Sequence, residues 1–181
     1  VRLYMSKITC LFLLIIVFLI FVEGSHAQNE ELSLQSLLGT NQILVIVESY
    51  GQIESSDLVS KIVAEYVADG RCLNVGLEIP SDQQEVLDSA MRGQVSMSDV
   101  QIENVVDHDS YREMLVSFSD QIIVGKCLSV YAINPPRSIS VTKDAWMEQE
   151  VVKVIDDRPL LLLTGNKHAV KDYKSTGDND K

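Results

Sequence analysis

The chain alternates short, continuous apolar runs with longer stretches whose apolar positions recur at helical spacing. Residues 43–47 are a mostly β-branched run that reads as a buried strand, and 73–77, 128–133 and 159–163 read the same way. Between the first two, Leu58, Val59, Ile62, Val63, Tyr66 and Val67 recur at i, i+4 and i+8. That spacing predicts a helix from a cap at Ser55 or Ser56 to about Ala68, stopped by Gly70. Ser81 opens a second helix to about Met91, stopped by Gly93, and 96–106 reads as a short one. Residues 109–124 form a longer helix with Met114, Leu115, Phe118, Ile122 and Ile123 inward, and Thr142 caps a last one to about Ile155. Strands alternating with helices predict βαβ units with right-handed crossovers. The expected fold is α/β, three layers deep, around a mostly parallel sheet of about four strands.

The first 27 residues follow another pattern. Residues 8–22 are an apolar run broken only by Thr9 and Cys10, with Arg2 and Lys7 before it and Gly24, Ser25, His26 and Ala27 after it. A charged start, an apolar middle and small residues before a cut near Ala27 predict a secretory signal peptide over 1–27. The run is short for a membrane span. The expectation is an exported protein, periplasmic or secreted, that meets a membrane only through this peptide. Residues 28–41 then read as a polar leader, 42–173 as the folded domain and 174–181 as a polar, disordered tail. Cys72 and Cys127 each sit just before a predicted strand. In an oxidising compartment such a pair can bridge; two buried thiols are the other reading.

Composition narrows the partners. At 181 residues and 46% hydrophobic, the chain is long enough for one domain with a real core. Lys and Arg number 15 against 26 Asp and Glu, a formal charge of −11 that suits neither nucleic acid nor an anionic surface. Aromatics are 6%, too few for a base-stacking platform. No Gly-Lys-Ser/Thr loop is present to cradle phosphates. A small molecule is the expected partner; the oligomeric state has no signature.

In open α/β sheets ligands bind beyond the carboxyl ends of the strands. The first strand delivers Glu48, Ser49, Tyr50 and Gly51 there, with Glu54 soon after; the second delivers Glu78. The third delivers Asn134, with Arg137 behind Pro135 and Pro136, and the fourth delivers Thr164, Gly165, Asn166 and His168. Two carboxylates and an imidazole at one rim can hold a divalent metal or share a proton. A Glu after a strand also serves simply to cap the next helix or pair with an Arg. Asp107-His108-Asp109 reads as a solvated helix start with Asp109 as its cap, and Trp146 reads as packing.

Three stretches carry a resemblance. They are Glu48-x-x-Gly51-x-x-Glu54 after the first strand, Gly76-Leu77-Glu78-Ile79-Pro80, and Leu163-Thr164-Gly165-Asn166-Lys167-His168-Ala169. Over about residues 42–173 the chain resembles the erythromycin-esterase/ChaN-like/Tiki superfamily. Its members carry Gly-Glu-x-His after the first strand, a Glu after the second and Gly-x-x-His late in the domain. The matching positions here are Glu48, Glu54, Glu78, Arg137 and His168, and Lys143-Asp144-Ala145-Trp146-Met147 resembles the helix start after the family's third strand. Val47 and Tyr50 stand where the first motif has Gly and His.

The resemblance implies two activities. One is binding of haem or an iron porphyrin for uptake, with Tyr50 or His168 as axial ligand; a tyrosine ligates ferric haem as phenolate. The other is metal-assisted hydrolysis, with Glu48 as general base or metal ligand, Glu78 as second carboxylate and His168 as ligand or acid. Arg137 would then steady an oxyanion, and the metal set would be Glu48, Glu54, Glu78 and His168. The altered first motif weighs against the hydrolase and not against haem. The leading expectation is therefore an exported ChaN-like domain that binds haem, a metal or another small ligand at the carboxyl end of its sheet. A degenerate, non-catalytic interaction domain is the third reading, and it would tie up Glu48 and Glu78 in ion pairs with Arg137 or Lys167.

Overall fold

Four short runs with few polar breaks become strands: β1 (Ile43–Glu48), β2 (Leu73–Pro80), β3 (Leu128–Asn134) and β4 (Leu160–Gly165). The computed structural model describes residues 38–165 apart from 40–41, 50–51 and 139–140. The expected signal peptide over 1–27, nearly all of the 28–41 leader, Tyr50, Gly51, Asn166, Lys167, His168 and the 174–181 tail lie outside the described residues. Among the described residues no helix is long and apolar enough to cross a membrane.

The strands form one sheet in the order β1-β4-β2-β3, all pairs parallel. The helices are α1 (Glu54–Ala68), α2 (Gln84–Met91), α3 (Asp109–Ile123) and α4 (Lys143–Val154). Alternate strand residues face opposite sides. Leu73, Val75, Leu77, Ile79, Leu161 and Leu163 join the main core with Val59, Ile62 and Val63 of α1 and Met114, Leu115 and Phe118 of α3. On the other face Ile133, Leu160 and Leu162 pack with Met147 of α4. The expected three-layer α/β domain is what forms. Right-handed crossovers explain the split. The path β1 to β2 to β3 runs one way and lays α1, α2 and α3 on one face. The return to β4, which slots between β1 and β2, lays α4 on the other.

β4 is covered on both faces, which explains its unbroken Leu160-Leu161-Leu162-Leu163 run. β1 is covered on one face. Leu44 and Ile46 pack against the main core, whereas Ile43, Val45 and Val47 remain 45%, 44% and 47% exposed. Gly76 of β2 lies opposite Leu162 of β4, and a Cβ there would stand 2.5 Å from Leu162 Cδ2. This position needs a glycine because the neighbouring leucine fills the space. Gly70 and Gly125, at φ +76° and +82°, end α1 and α3 in the left-handed conformation that glycine adopts without strain.

Two local expectations are corrected. The stretch 96–106 is not a helix: a single 3₁₀ turn, Met97–Asp99, is closed by a Ser96–Asp99 capping box, and the chain then runs irregularly. Arg112 explains why, since its guanidinium takes the Met97 and Val100 carbonyls that a continuing helix would use. α1 begins at Glu54, before either predicted serine cap, and Ser56 is buried inside it. The cysteine question resolves as a disulfide. Cys72 and Cys127 are bridged, joining the chain just before β2 to the chain just before β3.

Candidate functional site

Parallel strands deliver their last residues to one rim, and helices that return to the sheet start there too. Glu48 ends β1 in register with Gly165 of β4, and both Glu48 and Glu78 are 2% exposed. Glu78 is held at both oxygens. Thr164 Oγ1 and the Gly165 N–H donate to its Oε1 at 2.6 and 2.8 Å, and Lys143 Nζ donates to Oε2 at 3.1 Å. Burial raises its pKa, but these three donors and the Lys143 charge outweigh burial and hold it below the ordinary value. Glu78 is thus an ionised carboxylate that ties β2 to β4 and to the start of α4. Asn134 Nδ2 donates to the Glu78 carbonyl at 3.0 Å, and Lys143 also reaches Glu103 at 3.6 Å.

Glu48 has a different surrounding. His108 Nε2 lies 3.0 Å from its Oε1. His108 is the N-cap of α3, and its Nδ1 accepts from the Tyr111 N–H at 3.3 Å. With Nδ1 accepting, Nε2 is the nitrogen that donates to Glu48. Burial outweighs this bond, so the Glu48 pKa is raised, with the Glu78 charge adding to the rise. Tyr111 packs edge-on to His108, with ring centroids 6.0 Å apart. Its hydroxyl is buried without a hydrogen-bond partner among the described residues. Burial, then the Glu48 and Glu78 charges, push that phenol well above its usual range. The two carboxylates are so driven in opposite directions, which is how acid and base roles are separated at one site.

The other candidates fall elsewhere. Glu54 is exposed at the start of α1. Arg137 is exposed and donates to Gln101 Oε1 at 2.7 Å and to the Ile102 carbonyl at 3.3 Å, not to a rim carboxylate. Among the described residues no group of three or more His, Cys, Asp or Glu is placed to hold a metal ion. The physical reasons are plain: Glu78 has both oxygens engaged and Glu54 faces solvent. The rim carboxylates are engaged by Lys143, as an ion pair, and by His108, as a hydrogen bond, rather than by Arg137; Lys167, like Tyr50 and His168, lies outside the described residues.

Asp107-His108-Asp109 is not merely a solvated helix start. His108, not Asp109, is the cap, and it faces the rim. The signal that finds His108 and Lys143 is positional. In βαβ units the first turn of each helix sits near the carboxyl ends of the strands, so polar residues at helix starts belong in the candidate set. Tyr111 is harder to find, because at helical spacing it reads as core.

No protein-family model matches the sequence, and no curated protein does. Solved structures do match in shape. One is ChaN of Campylobacter jejuni, described with cofacial haem binding, at 14% identity and a TM-score of 0.52, over 76% of this chain and 74% of that one. The fold is ChaN-like. A crystal structure of bacterial protein toxins is similar at 15% identity and a TM-score of 0.51, over 80% of this chain and 32% of that one. The chain therefore spans about a third of the toxin chain. At such identities the likeness is one of fold, and the chemistry has to be argued from the rim itself.

Proposed function

We propose that this chain is an exported ChaN-like domain that binds a small ligand at the carboxyl rim of its sheet, and that the ligand is haem, carried as cargo. The observation that carries the reading is apolar surface where the iron ligand is expected. Tyr50 lies in sequence between Val47 and Ile53, whose residues are 47% and 54% exposed, with Val45 at 44% on the same strand face as Val47. A porphyrin needs such a surface beside its axial ligand. Tyr50, as phenolate, and His168 are the side chains that would hold the iron. Export rests on the charged-apolar-small pattern of residues 1–27 and is supported by the Cys72–Cys127 disulfide, a bond that persists in oxidising compartments. The metal reading has no ligand set among the described residues to support it.

The hydrolase reading keeps one supporting observation, the raised pKa of Glu48 beside the lowered one of Glu78. Glu78 already spends both oxygens on structure, so Glu48 alone would carry general acid-base work.

The test is a haem titration of the full chain, followed by the Soret band. A saturable shift is expected, weakened at least tenfold in Tyr50→Phe or His168→Ala. No saturable shift, or a shift indifferent to both substitutions, overturns the haem reading. Turnover of an activated ester that disappears in Glu48→Gln, with no Soret change, would install the hydrolase in its place.

A further inference from the structure

The outer edge of β3 borders a cavity of about 380 Å³, walled by α2 and the end of α3 and separate from the residues of the rim. In a parallel pair, alternate residues of a strand bond to alternate sides. The Leu73 N–H donates to the Cys127 carbonyl, so Cys127, Ser129 and Tyr131 address β2, and Leu128, Val130 and Ala132 address the open edge. Gln84 of α2 already treats this edge as a strand would. Its Nε2 donates to the Val130 carbonyl at 3.0 Å, and its Oε1 accepts from the Ala132 N–H at 2.7 Å. The next pair along the edge, the Leu128 carbonyl and the Val130 N–H, faces the cavity.

The rest of the lining has two parts. Met91, Ile122, Leu128 and Val130 supply apolar wall. Asp88 of α2 and Arg92, the residue that follows the helix, supply opposite charges on the same wall. They are not paired with each other: Asp88 Oδ1 accepts from Gln84 Nε2 at 2.8 Å, and Arg92 Nε reaches Gln94 Oε1 at 3.5 Å. An amide-pairing edge, an apolar wall and a separated acid and base together complement a peptide zwitterion.

We propose that this groove binds a short apolar peptide with free termini by strand addition to β3. The N–H of its C-terminal residue donates to the Leu128 carbonyl, a carboxylate oxygen of that residue accepts from the Val130 N–H, and its apolar side chain lies against Met91 and Ile122. Its carboxylate meets Arg92 and its ammonium meets Asp88. The test is a titration of the full chain with the dipeptide alanyl-leucine, read by backbone amide NMR shifts. The same dipeptide, N-acetylated and C-amidated, is the control. Saturable shifts at Leu128, Val130 and Met91 are expected, with at least fivefold weaker binding for the blocked dipeptide and for Arg92→Gln and Asp88→Asn. No saturable shift at these positions overturns the proposal. So do shifts of equal affinity for free and blocked dipeptide, or shifts unmoved by both substitutions. The haem titration has no bearing on this groove, so either proposal can fail alone.

Discussion

His108 Nε2 stands 3.0 Å from Glu48 Oε1, so the first turn of α3 is fastened to the end of β1 through one imidazole. The same ring caps α3 through Nδ1. His108→Ala removes both bonds and leaves a buried carboxylate without its donor. The expected loss is about 1–3 kcal/mol in urea denaturation at neutral pH. His108→Asn restores a cap and not the reach to Glu48, so it should recover about 1 kcal/mol of that loss. A His108→Ala chain as stable as the parent would mean the pair contributes nothing.

The two rim carboxylates make opposite pH predictions. The folded pKa of Glu78 lies below the ordinary 4.5, so its contribution is present above that value and fades as pH falls through the lower folded value. Glu78→Gln should destabilise the protein at pH 7 and cost progressively less on acidification. The folded pKa of Glu48 lies above 4.5, so folding binds its proton and stability declines as pH rises from 4.5 through the raised value. Glu48→Gln should match the parent at acid pH and lose less stability than the parent does on the way to neutrality. Thermal melts of the three chains across pH 3–7 decide it; parallel curves would refute both assignments.

Much of this architecture is legible in the residues themselves, and the reasons differ by element. The Leu160–Leu163 run and the i, i+4, i+8 pattern of α1 announce their elements because burial geometry writes directly into apolar spacing. Glu48 and Glu78 are legible as rim groups because each directly follows a strand run. The insertion of β4 between β1 and β2 is not, since every buried parallel strand carries the same kind of run. The 96–106 stretch fails for a tertiary reason: Arg112, beyond it in the chain, claims two of its carbonyls. His108 reads as solvated because its flanking aspartates are, and only the fold brings it over Glu48.

Gly76 makes a packing prediction. Its missing side chain is occupied by Leu162, with Ile133 Cγ2 at 3.5 Å from where a Cβ would sit. Gly76→Val must displace a leucine within a layer that α4 covers. The expected destabilisation is about 1–3 kcal/mol from overpacking. Pairing it with Leu162→Ala should relieve part of that cost, and a double-mutant cycle in urea measures the relief. Additive losses would show that the close approach is not what requires the glycine.

The disulfide makes the last prediction, and it bears on where the protein works. Cys72 and Cys127 are 55 residues apart and close a loop that holds β2, α2, α3 and the turn between them. In the chain-entropy account, closing a loop of that length stabilises the fold by about 4 kcal/mol. That is a large part of the roughly 5–15 kcal/mol by which a domain is ordinarily stable. Reduction, or Cys72→Ala with Cys127→Ala, should therefore lower the urea midpoint sharply while leaving circular dichroism at zero urea native-like. A chain that needs this bond belongs where thiols stay oxidised, in line with the proposed export. Equal midpoints with and without reductant would remove the disulfide as support for export, and the claim would then rest on residues 1–27 alone.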